Sequence, residues 1–285
     1  VTATSCYVCG RTKTSLVRAN AEYSYVKCSA CGFRRREPLP TAAEEEELYP
    51  EAYYSDRGLV VGLESQTRLM QELIEGRVAI LTKMNGGPGR LLDVGAGTGL
   101  FIEAALRKGW QATGVETSNA AARIARKITR SQITEGRIED LTFDSAFDAV
   151  TLWDVLEHVP DPRAFLVRIR QLLRTGGVVA VSLPSVSGLK ARVQRDGWRY
   201  YRRDFGHVSH FSPKTLSMVL DQAGFTPRRI DTTGSFNLGR LAGLDPARLR
   251  DRGGVLLGLQ GAADRAVGKL GLGESLVAYA VSRAT

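Results

Sequence analysis

One stretch of the chain constrains its fold more than any other. Leu91-Leu92-Asp93-Val94 is a short apolar run carrying a single acid, and Gly95-Ala96-Gly97-Thr98-Gly99 follows it directly. A strand that runs into three alternating glycines must turn sharply, and glycine reaches the backbone angles such a turn needs. The amphipathic stretch 99–108 comes next, so the glycines open a helix. Without Cβ atoms the loop lets a ligand come close to the backbone. Glu116 ends the next apolar run, 21 residues beyond Gly95. A carboxylate there can accept hydrogen bonds from ribose hydroxyls. Glycines alone do not decide the ligand, because dinucleotide sites use G-x-G-x-x-G, with a later third glycine. Here the spacing is D-x-G-x-G-x-G, with Asp93 at its head.

From Arg90 onward, apolar runs alternate with amphipathic ones. Strands are expected at 90–95, 112–116, 132–135, 147–152, 177–183, 225–231 and 275–281. Helices are expected around 99–108, 118–128 and 162–174, and from Ser212-Pro213 to Gly224. This order predicts an α/β fold, a doubly wound and mostly parallel seven-stranded sheet with helices on both faces. An earlier helix is expected over 66–84, with Leu69, Leu73, Val78, Ile80 and Leu81 mostly on one side. Asn85-Gly86-Gly87-Pro88-Gly89 ends it.

All four cysteines fall in the first 31 residues, as Cys6-Tyr-Val-Cys9 and Cys28-Ser-Ala-Cys31. Two C-x2-C pairs at this separation match the spacing of a zinc site, where each tight turn presents two thiolates to a tetrahedral ion. The alternative is two disulfides, which a reducing compartment disfavours. Four thiolates would close the coordination sphere, so such a zinc would be structural. Ser15 to Lys27, with Tyr23, Tyr25 and Val26, reads as one strand joining the two knuckles. The expected organisation is a zinc-ribbon-like module at 1–37, a linker with N-terminal cap helices at 38–89, and the α/β domain at 90–285. Within that domain a lid-like insert spans about 185–212, and a helical insert of no evident function spans about 238–273.

Composition narrows the function classes. No apolar run is long enough to span a membrane, and the N-terminus shows no signal pattern, so a cytoplasmic location is expected. The net charge of +9 suits nucleic acid or small anionic substrates, or reflects only an arginine-rich surface. The densest basic patches are Arg34-Arg35-Arg36 and the segment with Arg192, Arg195, Arg199, Arg202 and Arg203.

Taken together, Asp93 to Gly99, Gly114-Val-Glu116, the block Phe147 to Pro162, Leu173-Arg-Thr-Gly-Gly177 and Gly206-His207-Val-Ser-His210-Phe-Ser-Pro213 resemble class I S-adenosylmethionine-dependent methyltransferases. The resemblance covers about 48–233 and is greatest to the ubiquinone-biosynthesis and natural-product branch. It implies that Asp93, Gly95, Ala96, Gly97 and Gly99 surround the methionine part of the cofactor, and that Glu116 holds the ribose. It further implies Thr117 and the backbone of Ile138 beside the adenine, Trp153 and Asp154 beside the sulfonium, and Tyr53 with Tyr54 as a cover. Arg137 stands where many relatives carry an acid.

The chain has only three histidines, His158, His207 and His210. The resemblance places all three on the acceptor side. A histidine there can act as general base for a hydroxyl or an enolisable carbon. The alternatives are that His158 and His210 anchor backbone at helix starts, or that the three hold a metal. Arg199, Tyr200, Tyr201 and Arg202 either bind an anionic or aromatic acceptor or form a solvated lid face. The expected reaction is methyl transfer to a hydroxyl or activated carbon of a small metabolite. The lid-like insert favours it, since in this fold such an insert often closes over small acceptors, and sugar C-methyltransferases begin with a similar four-cysteine module. The competing readings are a ribosomal RNA methyltransferase that uses the ribbon and Arg34 to Arg36 on phosphates, and a non-enzymatic binding protein that kept the fold. Oligomeric state is not specified by the sequence.

Overall fold

The computed structural model describes residues 5–41, 44, 63–233, 267–268 and 270–284. Tyr53, Tyr54, Glu45 to Glu47 and most of the expected 238–273 insert lie outside the described residues.

The expected sheet forms. Its strands are β4 (Arg90–Val94), β5 (Gln111–Glu116), β6 (Ile133–Glu135), β7 (Phe147–Trp153), β8 (Leu173–Pro184), β10 (Phe225–Thr233) and β11 (Ser275–Ser282). They lie in the order β10-β11-β8-β7-β4-β5-β6. β11 pairs antiparallel with both β8 and β10, while the β8-β7-β4-β5-β6 pairings are parallel. The inner strands are buried on both faces, as a sheet covered by helices on both sides requires.

The helices differ in detail from their sequence patterns. α1 (Arg68–Asn85) is capped by the Thr67 hydroxyl, which accepts from the Met70 amide, and it ends at Gly86 in the left-handed region. Its buried stripe is Ile74, Val78 and Leu81, whereas Leu73 is exposed. Of the expected face, Val78 and Leu81 are buried and Ile80 is partly buried, and Ile74 takes the inward place expected of Leu73. α2 (Leu100–Arg107) and α3 (Asn119–Thr129) follow β4 and β5. α4 (Pro162–Leu172) starts at the Asp161 cap and stops at Leu172, because Leu173 already pairs with Phe147 at the start of β8. α5 (Leu189–Gln194) lies in the insert. α6 (Pro213–Gln222) opens on a reciprocal capping box between Ser212 and Thr215.

The N-terminal segment departs most from expectation. Residues 15–27 are not one strand but a hairpin, β1 (Thr14–Ala19) and β2 (Ser24–Cys28). The Asn20 side chain makes the turn by accepting from the Glu22 and Tyr23 amides, a local bond that competes with extended backbone. β3 (Arg34–Glu37) pairs with β2, and β9 (Ser209–His210) pairs with β3. The cysteine-bearing sheet is thus completed by two residues from the far half of the chain. Cys6, Cys28, Cys31 and Phe33 lie in the same apolar core as Leu152, Phe211 and Leu216. Among the described residues no helix is long and apolar enough to cross a membrane.

Phe211 is fully buried against Phe33, with ring centroids 5.2 Å apart, where the two sheets meet. Phe211→Ala is expected to destabilise the protein by about 3–5 kcal/mol. Urea unfolding measures this, and a loss below about 1 kcal/mol would show that the two sheets do not share a core.

Candidate active site

The carboxyl ends of β4, β5 and β7 build the site. The Gly95 and Ala96 amides both donate to the Val115 carbonyl, at 2.8 and 3.1 Å, which binds the glycine loop to β5. The Gly97 amide donates to Glu116 Oε2 at 2.7 Å, and the Ser118 amide to Glu116 Oε1 at 2.8 Å. Gly95 has φ 70° and Gly97 φ 54°. A Cβ on Gly95 would meet the Val155 side chain at 2.5 Å, whereas one on Gly97 would meet nothing within 4 Å. The loop is therefore packed on one side and open on the other, a shape that fits a ligand lying against the backbone.

A cleft begins beside Gly95. Gly95, Thr117, Ile138, Val155, His158 and Gly206 are among the residues that line it. It joins the glycine loop, the adenine-side residues expected from sequence and one of the three histidines. Ile138 is held there by Arg168, whose guanidinium donates to the Ile138 and Leu141 carbonyls. Asp93 is not among the lining residues. It is buried and accepts from the Thr151 hydroxyl at 2.6 Å, and burial pushes its carboxyl up to about 8.

Trp153 and Asp154 sit at the end of β7. Asp154 has φ 56°, its amide donates to the Ser182 carbonyl, and the Ser182 hydroxyl donates to its carboxylate at 3.3 Å. Arg77 of α1 lies over the Trp153 ring, 4.4 Å from its centroid. Arg77 Nε, Trp153 Nε1 and the Tyr279 hydroxyl are buried, with no hydrogen-bond partner among the described residues. Buried polar atoms normally find partners, so these three point to a polar ligand or water at this end of the sheet. Sequence reasoning missed Arg77, because a helix preceding the glycine loop reads as cover. Arg77 lies at the edge of the α1 stripe formed by Ile74, Val78 and Leu81.

The three histidines do converge, but in different surroundings. His158 Nδ1 lies 3.2 Å from the Gly206 carbonyl, and burial lowers its pKa to about 4. The His158 and His207 rings meet edge to face at 4.7 Å, and His207 stacks on Tyr200 at 5.0 Å. Burial, followed by the neighbouring histidines and Arg199, holds His207 well below the ordinary value. His207 Nε2 is 4.0 Å from Glu157 Oε1. Glu157 is buried, and neither of its oxygens has a hydrogen-bond partner among the described residues. Burial and the nearby Asp154 raise its pKa well above the usual carboxylate range. Glu157, His158 and His207 each place one donor atom within 4.8 Å of the others, so they could share a proton or hold a cation. His210 lies away from the cleft, enclosed by the Tyr25, Trp198 and Tyr201 rings.

The four cysteine sulfurs also lie within 4.8 Å of one another. Cys6 and Cys31 Sγ are 3.6 Å apart and Cys9 and Cys28 Sγ 3.5 Å, and no disulfide links them. Zinc–sulfur bonds of about 2.3 Å in a tetrahedron place sulfurs roughly 3.8 Å apart, so the cluster has the size such an ion requires.

The basic run beside the cysteines is not a free surface. Arg35 and Arg36 are each 4% exposed. Arg35 pairs with Glu37 at 2.6 Å, Arg36 pairs with Glu44 at 3.2 Å and covers the Tyr23 ring, and Arg34 donates to the Tyr201 hydroxyl.

His210 gives a pH prediction. Burial lowers its pKa from 6.5 to about 3, so between these values the unfolded chain takes up a proton that the folded chain refuses. Stability therefore falls as pH drops through that window, by about 2 kcal/mol from pH 7 to pH 5 for this group. His210→Phe should remove that part of the loss in denaturation measured at both pH values. An unchanged pH slope would contradict the buried, neutral histidine.

A family model described as a methyltransferase domain matches residues 65–230. The ubiquinone biosynthesis O-methyltransferase of Alkalilimnicola ehrlichii is 39% identical over 101 residues, which are 33% of this chain and 40% of that protein. The chain thus spans less than half the length of that relative. Among solved structures, the 1,6-didemethyltoxoflavin-N1-methyltransferase of Burkholderia thailandensis, with bound 1,6-didemethyltoxoflavin and S-adenosylhomocysteine, superposes with a TM-score of 0.55. The match is at 21% identity and covers 95% of this chain and all of that one. The [4+2]-cyclase SpnF superposes at 0.56, also at 21% identity, covering 87% of this chain and 98% of that one. With more than half of its length matched by the family, the chain belongs to the methyltransferase-domain family and has the class I fold of S-adenosylmethionine-dependent methyltransferases.

Proposed function

We propose that the chain transfers a methyl group from S-adenosylmethionine to a hydroxyl or activated carbon of a small-molecule acceptor. One observation carries this reading. One cleft is lined by Gly95 of the glycine loop, by Thr117 and Ile138, and by His158 and Gly206, so residues read as the cofactor side and a candidate base share one cavity.

When bound, the cofactor supplies a methyl group on a sulfonium, already a good leaving group. The chain's part is to hold, orient and deprotonate. Glu116 has oxygen lone pairs left for ribose hydroxyls after accepting from the Gly97 and Ser118 amides. Thr117 and Ile138 flank the adenine position, and Gly95, Ala96, Gly97 and Gly99 let the methionine part lie on the backbone. Asp93 acts at one remove, through Thr151 and the end of β4. Arg77 is placed to meet a carboxylate near Trp153 and Asp154. His158 and His207 are kept neutral by burial, the state in which an imidazole can accept a proton. His207, next to Glu157, can share that proton with the buried carboxyl. His210 is read as an anchor, since aromatic rings enclose it. Tyr53 would complete the cover over the cofactor. The four cysteines would hold a structural zinc.

A small acceptor is favoured over RNA because Arg35 and Arg36 are buried and paired with carboxylates, which takes them away from phosphate. The 1,6-didemethyltoxoflavin bound to the Burkholderia thailandensis enzyme shows that a protein of this fold holds a small acceptor. Incubation with methyl-labelled S-adenosylmethionine, in parallel with total RNA and with a small-metabolite extract, tests the reading. Label is expected in a low-mass, RNase-resistant product, and label in RNase-sensitive material would refute it. Glu116→Ala should weaken S-adenosylhomocysteine binding by about 10–100-fold in calorimetry, the cost of losing one or two charge-assisted hydrogen bonds. Wild-type affinity in that variant would remove Glu116 from the site.

A further inference from the structure

The N-terminal sheet touches the histidine loop at several points. β3 pairs with β9, setting Arg34 opposite His210 and Arg35 opposite Ser209. The Arg36 amide donates to the Val208 carbonyl at 2.9 Å, and the Tyr25 hydroxyl donates to the His207 carbonyl at 2.7 Å. The Tyr25 ring also packs on His210 at 5.0 Å and on Tyr201 at 4.7 Å. From its other side the loop is tied to the segment that follows β7. The Val208 amide donates to the Glu157 carbonyl at 2.8 Å, and the Ser209 hydroxyl donates to the Val159 carbonyl at 3.0 Å. The segment that carries His207 is thus clamped between the catalytic sheet and the cysteine-bearing sheet.

The cysteines sit where they control that clamp. Cys28 is the last residue of β2, three residues after Tyr25, and Cys31 lies three residues before Arg34 at the start of β3. The Cys28 amide donates to the Phe33 carbonyl and the Gly32 amide to the Cys28 carbonyl, so the knuckle itself joins the two strands. A hairpin this small has little core of its own. In such modules the metal supplies the folding free energy, and four close thiols, three of them buried, leave their strands loosely joined without it.

We propose that metal loading of the four-cysteine cluster sets the position of the histidine loop 206–210, with Tyr25 as the positioning residue that passes it on. A bound ion fixes the ends of β2 and β3. β2 presents the Tyr25 hydroxyl to the His207 carbonyl, and β3 holds Val208 to His210 by backbone pairing. The glycine loop and Glu116 make their bonds to β5 and do not depend on this clamp. Loss of the metal therefore separates the two halves of the site, leaving cofactor binding in place while the histidines shift. The role given to the loop rests on the reading of His158 and His207 as groups facing the methyl acceptor, but its movement can be measured without any acceptor.

The three histidines are the only ones in the chain, so imidazole NMR of histidine-labelled protein reports this cluster alone. The experiment compares zinc-loaded full chain, the same chain after chelation, and zinc-loaded Tyr25→Phe, with metal content measured for each. After chelation, the His207 and His210 signals are expected to shift or broaden. Amide exchange at Arg36 and His210 should rise at least tenfold, and S-adenosylhomocysteine affinity should stay within about threefold. Tyr25→Phe should keep its zinc and move the His207 signal in the same direction, and Tyr25→Leu should move it further. Histidine signals and exchange rates that ignore both chelation and Tyr25→Phe would overturn the proposal. If chelation unfolds the chain and abolishes cofactor binding, the zinc-loaded Tyr25 variants decide, and wild-type spectra in them overturn it. Failure of the acceptor-side reading would appear separately, as label transfer that is unaffected by His158→Ala and His207→Ala.

Discussion

The hydrogen bond from the Gly97 amide to the Glu116 carboxylate links the ends of two neighbouring strands, and the candidate site is arranged around it. β4 delivers the glycine loop and β5 delivers the acid, in parallel register with Val94 beside Val115. The loop then bends over β5 through the bonds of Gly95 and Ala96 to Val115. A side chain at Gly95 would strike Val155, which follows β7, so a third strand end also depends on the missing Cβ. Three strand ends meet where the sheet changes its direction of connection, the place where open α/β sheets bind ligands.

Opposite that loop the chain buries an unusual amount of polarity. Glu157, His158, His207, Arg77, Trp153 and Tyr279 bring polar atoms into a region from which water is largely excluded, several of them without partners among the described residues. Burial is the largest influence on the pKa of every one of these titratable groups. It lowers the pKa of His158 and His207 and raises that of Glu157. Leaving polar atoms this way is costly for stability. That cost is understandable where a ligand completes the set, and His158 of this group lines the cleft beside Gly95.

Much of this was legible in the chain because it is local. The glycine spacing, the cap at Ser212 and the alternation of strands and helices are set within a few residues, and all reappear in the structure. The paired C-x2-C turns likewise foretold four sulfurs in close proximity. Three details departed from the sequence pattern, two of them for want of tertiary information. Leu73 fits a helical stripe as well as Ile74 does, and only the sheet beneath α1 decides which one turns inward. The single strand read over 15–27 is broken by one asparagine side chain. Arg34 to Arg36 look like a phosphate-binding patch until strand pairing buries two of them against Glu37 and Glu44.

By itself, then, the sequence determined the sheet, the glycine loop with its acid and the clustering of the cysteines, since each is fixed by backbone conformation and short-range spacing. Only the tertiary structure decided how the three histidines differ. His158 lines the cleft, His207 lies beside a buried carboxyl, and His210 is enclosed by aromatic rings. It also decided that the N-terminal module is joined to the catalytic half through β3 and β9 rather than hanging from it. The physical reason is the same in both cases. A side chain's role here depends on what excludes water from it and what charge lies nearby, and those neighbours come from residues as much as 182 positions away along the chain.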